Sequence, residues 1–316
     1  MIQRLASSEF FVLGLCALLL AGLGPFTPGL LSAQNLVNVL AAMLPLLLVA
    51  AGQTVVLIGG GIDLSVTAII ALASVAGAKI MTLSGGWMAA HPAAVPVAVG
   101  AMLLAGFLTG LANGIAIAWL RMSAFIVTLT SLMAVSGLTV WFTDSKNIAD
   151  LPPGFFSLGQ RLPPALGMAA GALALTHLML TRSIYGRWIH AVGHNAATAR
   201  VSGVPVPLIT ALSYTISGLS AGAAAILLTG RLETGSPVLG QTMMLDIIGA
   251  AVIGGTSLFG GRGNVLWTVS GVLFLTLLDN ALNLRGLSHF VIMMIKGVVI
   301  LLAAGLDVVR RRGQEE

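Results

Sequence analysis

The sequence predicts an all-α, polytopic membrane protein of about ten transmembrane helices, with both termini cytoplasmic. Three observations carry that expectation. The 316 residues are 57% hydrophobic and 8% charged, with a mean hydropathy of +1.02, which leaves too little polar surface for a water-facing exterior. Apolar runs long enough to cross a bilayer recur along the chain, with no gap large enough for a soluble domain. The basic residues are unevenly divided between the loops, as membrane orientation requires. Composition thus excludes a soluble globular enzyme and a disordered chain, and residues 1–316 read as one transmembrane domain.

The first span is expected over 8–26, uncleaved, because no small-residue cleavage site follows it. Its Cys16 is the sole cysteine, so neither an internal disulfide nor a cysteine-built metal site is possible. Further spans are expected over 36–59, 64–83, 95–119, 124–142, 164–181, 206–230, 243–259, 264–284 and 289–309. With the termini inside, nine basic residues face the cytoplasm: Arg4, Arg121, Arg182, Arg187, Arg200, Arg262, Arg310, Arg311 and Arg312. Four face outward, Lys146, Arg161, Arg231 and Arg285, while Lys79 and Lys296 fall within spans. Two connections stand out, 143–163 outside and 182–205 inside. The net charge of +5 is accounted for by this orientation, and no nucleic-acid partner is implied.

Several motifs are absent. The lysines Lys79, Lys146 and Lys296 follow Ala78, Ser145 and Ile295, so no Gly-Lys-Ser/Thr phosphate loop exists. Any ATP-driven step must be hydrolysed on another chain. The five histidines are scattered, and no metal site is expected.

Four features carry the structural expectations. Gly59-Gly60-Gly61 ends one helix, and Asp63 and Ser65 then stand ready to cap the next, as a tight turn or as part of a gate. Gly106, Gly110 and Gly114 repeat at four-residue spacing, which lets a neighbouring helix approach closely, within the subunit or between subunits; Asn113 beside them is expected to bond to another helix. Asn195 is a good N-cap for a short helix over Ala196 to Ser202, stopped by Gly203 and Pro205. Such a compact helix is either an ordinary loop or a plug for a cleft on a partner. Finally, Gly60-Gly61-Ile62-Asp63-Leu64 is faintly echoed by Gly254-Gly255-Thr256-Ser257-Leu258, each between two apolar runs.

Taken in order, several of these stretches resemble the ribose/xylose/arabinose/galactoside permeases of ATP-binding-cassette importers. The resemblance lies in Gln53-Thr54 through Gly60-Gly61-Ile62-Asp63-Leu64-Ser65, Asn113-Gly114, Arg121, and Phe125-Ile126-Val127-Thr128-Leu129. It continues through Gly193-His194-Asn195 with Ala199-Arg200-Val201-Ser202-Gly203, and Asp246 leading to Gly254-Gly255-Thr256-Ser257-Leu258. Asn280, Leu282-Asn283-Leu284 and Lys296-Gly297 complete it, while Thr67-Ala68 and Thr130 depart from the expected glycine-containing variants. It implies a transport subunit without catalysis of its own, pairing with a second permease copy, cytoplasmic ATPases and a periplasmic sugar-binding protein. It holds no cofactor, since ATP and magnesium belong to the ATPase. The segment around 193–203 would be the coupling helix, through Gly193, Asn195, Ala199, Arg200, Ser202 and Gly203.

The polar residues expected either to pair helices or to line a sugar pathway are Gln53, Asp63, Asn113, Asp246, Asp279, Asn280, Asn283 and Lys296. Asp246, Asp279 and Lys296 fall toward the outer ends of their spans, where Lys296 has either carboxylate as partner. An ion-driven secondary carrier using these charges is the rival reading, and a membrane-embedded enzyme lacks a nucleophile or metal cluster.

Overall fold

A computed structural model describes the backbone of residues 11–315 and the side chains of 11–305. Arg4 therefore lies outside the described residues, as do the side chains of Arg310, Arg311 and Arg312. Among the described residues every regular element is a helix. Helix α1 is Phe11–Leu23, extended by a 3-10 turn at Gly24–Phe26; α2 is Ala33–Ile58, α3 Val66–Met81, α4 Ala94–Ala118 and α5 Ala124–Phe142. A short α6, Pro153–Gln160, precedes α7, Leu162–Arg182; α8 is Ile184–His194 and α9 Ala196–Val201. Then come α10, Val206–Leu232, a 3-10 turn at Gln241–Met243, α11, Met244–Ile253, α12, Val265–Leu284, and α13, His289–Glu315.

Six helices, α2, α4, α5, α7, α10 and α12, are long and apolar enough to cross a membrane. Four shorter apolar helices accompany them, at Phe11–Phe26, Val66–Met81, Gln241–Ile253 and His289–Gly305. These ten segments correspond to the ten expected spans, with one substantial correction. The span expected over 243–259 is a helix of only 10 residues, Met244–Ile253. At 1.5 Å per residue it rises about 15 Å, half of a hydrocarbon core about 30 Å thick. The reason lies on both sides of it. Gly254 and Gly255 end the helix, and the residues before it, 233–240, are not helical because Pro237 and two flanking glycines oppose a helix there.

The centre of the molecule is α2, buried along most of its length, with α10 packed across it and α3 and α4. The glycine spacing on α4 works inside the subunit. A methyl group at Gly106, Gly110 or Gly114 would run into the backbone carbonyls of Gly218, Tyr214 or Ala211 on α10. Gly218 on α10 faces back onto Gly106 with equal closeness. By contrast α5 and α7 bury little of their surface, and their exposed Phe125, Ile126, Met133, Leu138, Leu175 and Leu178 suit lipid.

The connection 143–163 is more structured than a loop. Ile148 and Gly235 exchange both backbone hydrogen bonds, at 2.8 and 2.9 Å, and α6 packs on α10 where Gly159 faces Gly230. The opposite connection, 182–205, contains the expected short helix, with Asn195 Oδ1 accepting from the Thr198 amide at 3.0 Å. It also contains α8, an eleven-residue helix where the sequence predicts a loop.

Candidate functional site

Three segments that are distant in sequence meet at one end of the bundle. The turn 59–65 follows α2, the turn 254–264 follows α11, and Gly193 lies at the end of α8 just before α9. The Gly261 amide donates to the Ile58 carbonyl at 2.8 Å. A methyl at Gly193 would collide with that same carbonyl, and one at Gly260 would lie 2.8 Å from the Gly60 Cα and 2.9 Å from the Gly193 carbonyl oxygen. Glycine is required here because three backbones touch with no room for a side chain. The helix α9 is thus mounted on two turns that end membrane helices. Arg200 and Val201 on α9 are exposed, while Ala199 is buried against the bundle. Gly203, at φ +83°, turns the chain out of α9.

The two turns share one hydrogen-bond pattern. The amides of Gly59, Gly60 and Gly61 donate to the carbonyls of Val55, Leu57 and Val56. The amides of Gly254, Gly255 and Thr256 donate to Ala250, Val252 and Ala251 in the same offsets. Gly60 and Gly255 both take the left-handed conformation, at φ +79° and +98°. The sequence echo is therefore real as geometry, but it aligns Gly60 with Gly255, one residue away from the alignment that the pentapeptides suggest. Each turn is also followed by a helix, and Thr54 of α2 hydrogen-bonds Thr268 of α12 at 2.7 Å.

Behind the first turn lies a polar network. Asp63 Oδ1 accepts from the Ser65 amide at 3.0 Å and from the Ser65 hydroxyl at 2.6 Å. Its Oδ2 accepts from Ser217 of α10 at 2.8 Å, and Asn113 of α4 donates to Ser65 Oγ at 2.9 Å. The amide of Gln53, oriented to suit its neighbours, bonds both backbone groups of Asp63 at 3.2 Å. Tyr214 donates to the Ile62 carbonyl at 3.4 Å. Burial raises the Asp63 carboxyl above the ordinary carboxylate range, while the donors from Ser65 and Ser217 pull it down. Ser65 makes no side-chain cap to α3; its hydroxyl is committed to Asp63. Gln53, Asp63 and Asn113 are all buried, so they tie α2, α3, α4 and α10 together in this arrangement.

A second polar group joins the C-terminal helices. Lys296 of α13 contacts Asp246 of α11 at 2.8 Å and Asp279 of α12 at 3.1 Å. It thus reaches both carboxylates rather than one. Asn283 donates to the Asp279 side chain at 2.9 Å. Asn280 stands apart from this group: it and Asn35 of α2 exchange amide hydrogen bonds of 2.8 and 3.0 Å. Gln241 and Thr242, just before α11, are exposed and polar. In the sequence they read as loop residues ahead of a full span; the signal for a broken span is Gly235, Pro237 and Gly240 between two apolar helices.

The family model for the permease component of the branched-chain amino acid transport system matches residues 35–304, from the first turn of α2 into α13. The chain belongs to that permease family. It is 35% identical over 298 residues to the ribose import permease protein of Escherichia coli K12, covering 92% of this permease and 90% of that protein. It is 37% identical over 289 residues to the ribose import permease protein of Bacillus subtilis 168, covering 89% and 86%. The L-arabinose transport system permease protein of Escherichia coli K12 is 32% identical over 304 residues, covering 95% and 90%. No solved structure matches the permease at a significant level. Among the described residues no cluster of His, Cys, Asp and Glu has the makings of a metal site.

Proposed function

We propose that this permease is the membrane-spanning subunit of an ATP-binding-cassette importer that carries a monosaccharide or related polyol into a bacterial cytoplasm. The observation that carries the reading is likeness to ribose and arabinose import permeases along nine-tenths of the chain. The family takes its description from branched-chain amino acid transport; the sugar reading follows the individual relatives, which are matched nearly end to end.

Energy comes from a separate cytoplasmic ATPase, since no phosphate loop lies in this sequence. The ATPase docks on α9, whose exposed Arg200 and Val201 stand clear of the bundle while its root rests on the turns after α2 and α11. Closing the ATPases around ATP then moves α9, and the two turns pass that displacement to the helices that they end. Net import requires that sugar release and ATP state favour different arrangements, because a ligand shifts an equilibrium only through differential affinity. A second permease copy completes the pathway, and an external binding protein delivers the sugar. The membrane is the bacterial inner membrane, with both termini and α9 on its cytoplasmic side.

The test is uptake of radiolabelled pentoses and hexoses into proteoliposomes holding the permease, its ATPase and its binding protein. Uptake that needs ATP and survives collapse of ion gradients is the expected result. Uptake that persists without ATP and stops when the gradient is collapsed establishes the ion-driven carrier instead.

A further inference from the structure

Residues 233–243 do something that no other described segment does. Leaving α10, the chain does not stay at the end of the bundle but runs back along α3. Gly235 packs on Ala78, the Ser236 amide donates to Ser74 Oγ at 3.3 Å, and a methyl at Gly240 would lie 3.2 Å from the side chain of Ile70. Those three partners step down α3 from its last turn to its second, a descent of about 12 Å at 1.5 Å per residue. Helix α11 begins only there. Non-helical backbone at this depth is tolerated where protein or water covers it, never against lipid.

Part of it is covered: Gly235, Ser236, Pro237 and Leu239 are buried. Gln241 and Thr242 are not. They are exposed at the head of α11, beside a pocket that Thr242 shares with Asp246, His289 and Lys296. Asp246 gives Oδ2 to Lys296, and its Oδ1 has no hydrogen-bond partner among the described residues. A lipid-facing surface here would strand an amide, a hydroxyl, a carboxylate oxygen and the first amides of a helix. The lipid-facing helices α5 and α7 show the contrast, since their exposed residues at depth are largely apolar.

We infer that Gln241, Thr242, Asp246 and Lys296 form a water-filled, sugar-contacting surface of the translocation pathway. The inference rests on the sugar-import reading and adds the residues that meet the cargo. The chemistry suits a polyol: an amide and a hydroxyl that both donate and accept, one acceptor oxygen left over, and an ammonium held in place by two carboxylates. The ion pairs fix the charges so that hydroxyl groups pass over them without either charge moving.

The single cysteine makes the test direct. In the full importer, reconstituted in proteoliposomes on a Cys16→Ala background, cysteines are placed singly at Gln241, Thr242 and, as lipid-facing controls, Leu104 and Leu175. A permanently charged methanethiosulfonate is supplied on both sides. The expected result is labelling of Q241C and T242C at least tenfold faster than of L104C and L175C, with loss of uptake on labelling. Labelling no faster than in the controls overturns the inference, as does fast labelling that leaves uptake intact. Thr242→Val, which keeps the shape and removes the hydroxyl, should lower maximal uptake about fivefold, and Thr242→Ser should retain it; equal uptake in both variants counts against sugar contact. If the background transporter takes up no sugar of the panel, the import reading fails, while the labelling rates still report on water access.

Discussion

The turn after α2 and the turn after α11 have the same three amide-to-carbonyl hydrogen bonds and the same left-handed glycine. They differ in what stands before and behind them. The first ends a helix of 26 residues that is buried along most of its length, and it is filled by the Asp63 network. The second ends a helix of 10 residues that starts partway through the bundle, and its polar partner is the Lys296 ion pair at the far end of that helix. A local stop signal is therefore encoded twice, in nearly the same residues, while the tertiary setting decides what each copy does. One copy is an anchor tied into four helices. The other leaves a polar helix start facing open space.

The contrast is sharpest in the charges. Lys296→Met leaves Asp246 and Asp279 without their common cation and should cost about 3 kcal/mol, the low end of what breaking a buried pair costs, because all three groups are only part-buried. Asp63→Asn keeps an acceptor for two of its three donors and should cost about 1–2 kcal/mol. Unfolding of both variants in mixed micelles measures the difference; a smaller loss for Lys296→Met would mean that the ion pair does not hold α11 to α12 and α13.

The glycines give the next largest effect. A methyl at Gly254 meets the Trp267 backbone carbonyl, which is fixed in α12, whereas at Gly59 its nearest neighbour is the Ile189 Cδ1 at 2.8 Å, the end of a movable side chain. Gly254→Ala should therefore cost about 2–3 kcal/mol, and Gly59→Ala about 1 or less. Equal costs would show that the second turn is not the tighter of the two. The smallest effect tests what the turns share. Gly60→Ala and Gly255→Ala each force an L residue into the left-handed region, with no backbone atom closer than 3.9 Å to the added methyl at Gly60 and only the Trp267 ring, 3.5 Å away, at Gly255, so each should lose about 1–2 kcal/mol. Unequal losses would separate the turns at the cap itself.

Much of this was legible in the sequence. Apolar runs gave the spans, and the four-residue glycine spacing on α4 gave the tight crossing. Asn195, Gly203 and Pro205 bounded α9 to within one residue. What was not legible depends on contacts between distant segments. Residues 243–259 are apolar enough to read as one span, and the glycines and proline around them become decisive only once 235–240 is seen packed against α3. Ser65 reads as a helix cap, yet Asp63 and Asn113 claim its hydroxyl. Lys296 reads as a partner for either Asp, and its depth between α11 and α12 gives it both. Gln241 and Thr242 carry no periodic signal, so their importance appears only once the chain around them is seen to re-enter the bundle.

The central claim is that α9 transmits ATPase motion through the two turns, and Arg200→Glu tests it most directly. Arg200 is exposed on α9, so the variant should fold and insert normally. Measured in proteoliposomes with ATPase and binding protein present, it should lose sugar uptake and the stimulation of ATP hydrolysis by loaded binding protein. Uptake and stimulated hydrolysis at the level of the unsubstituted permease would contradict the account.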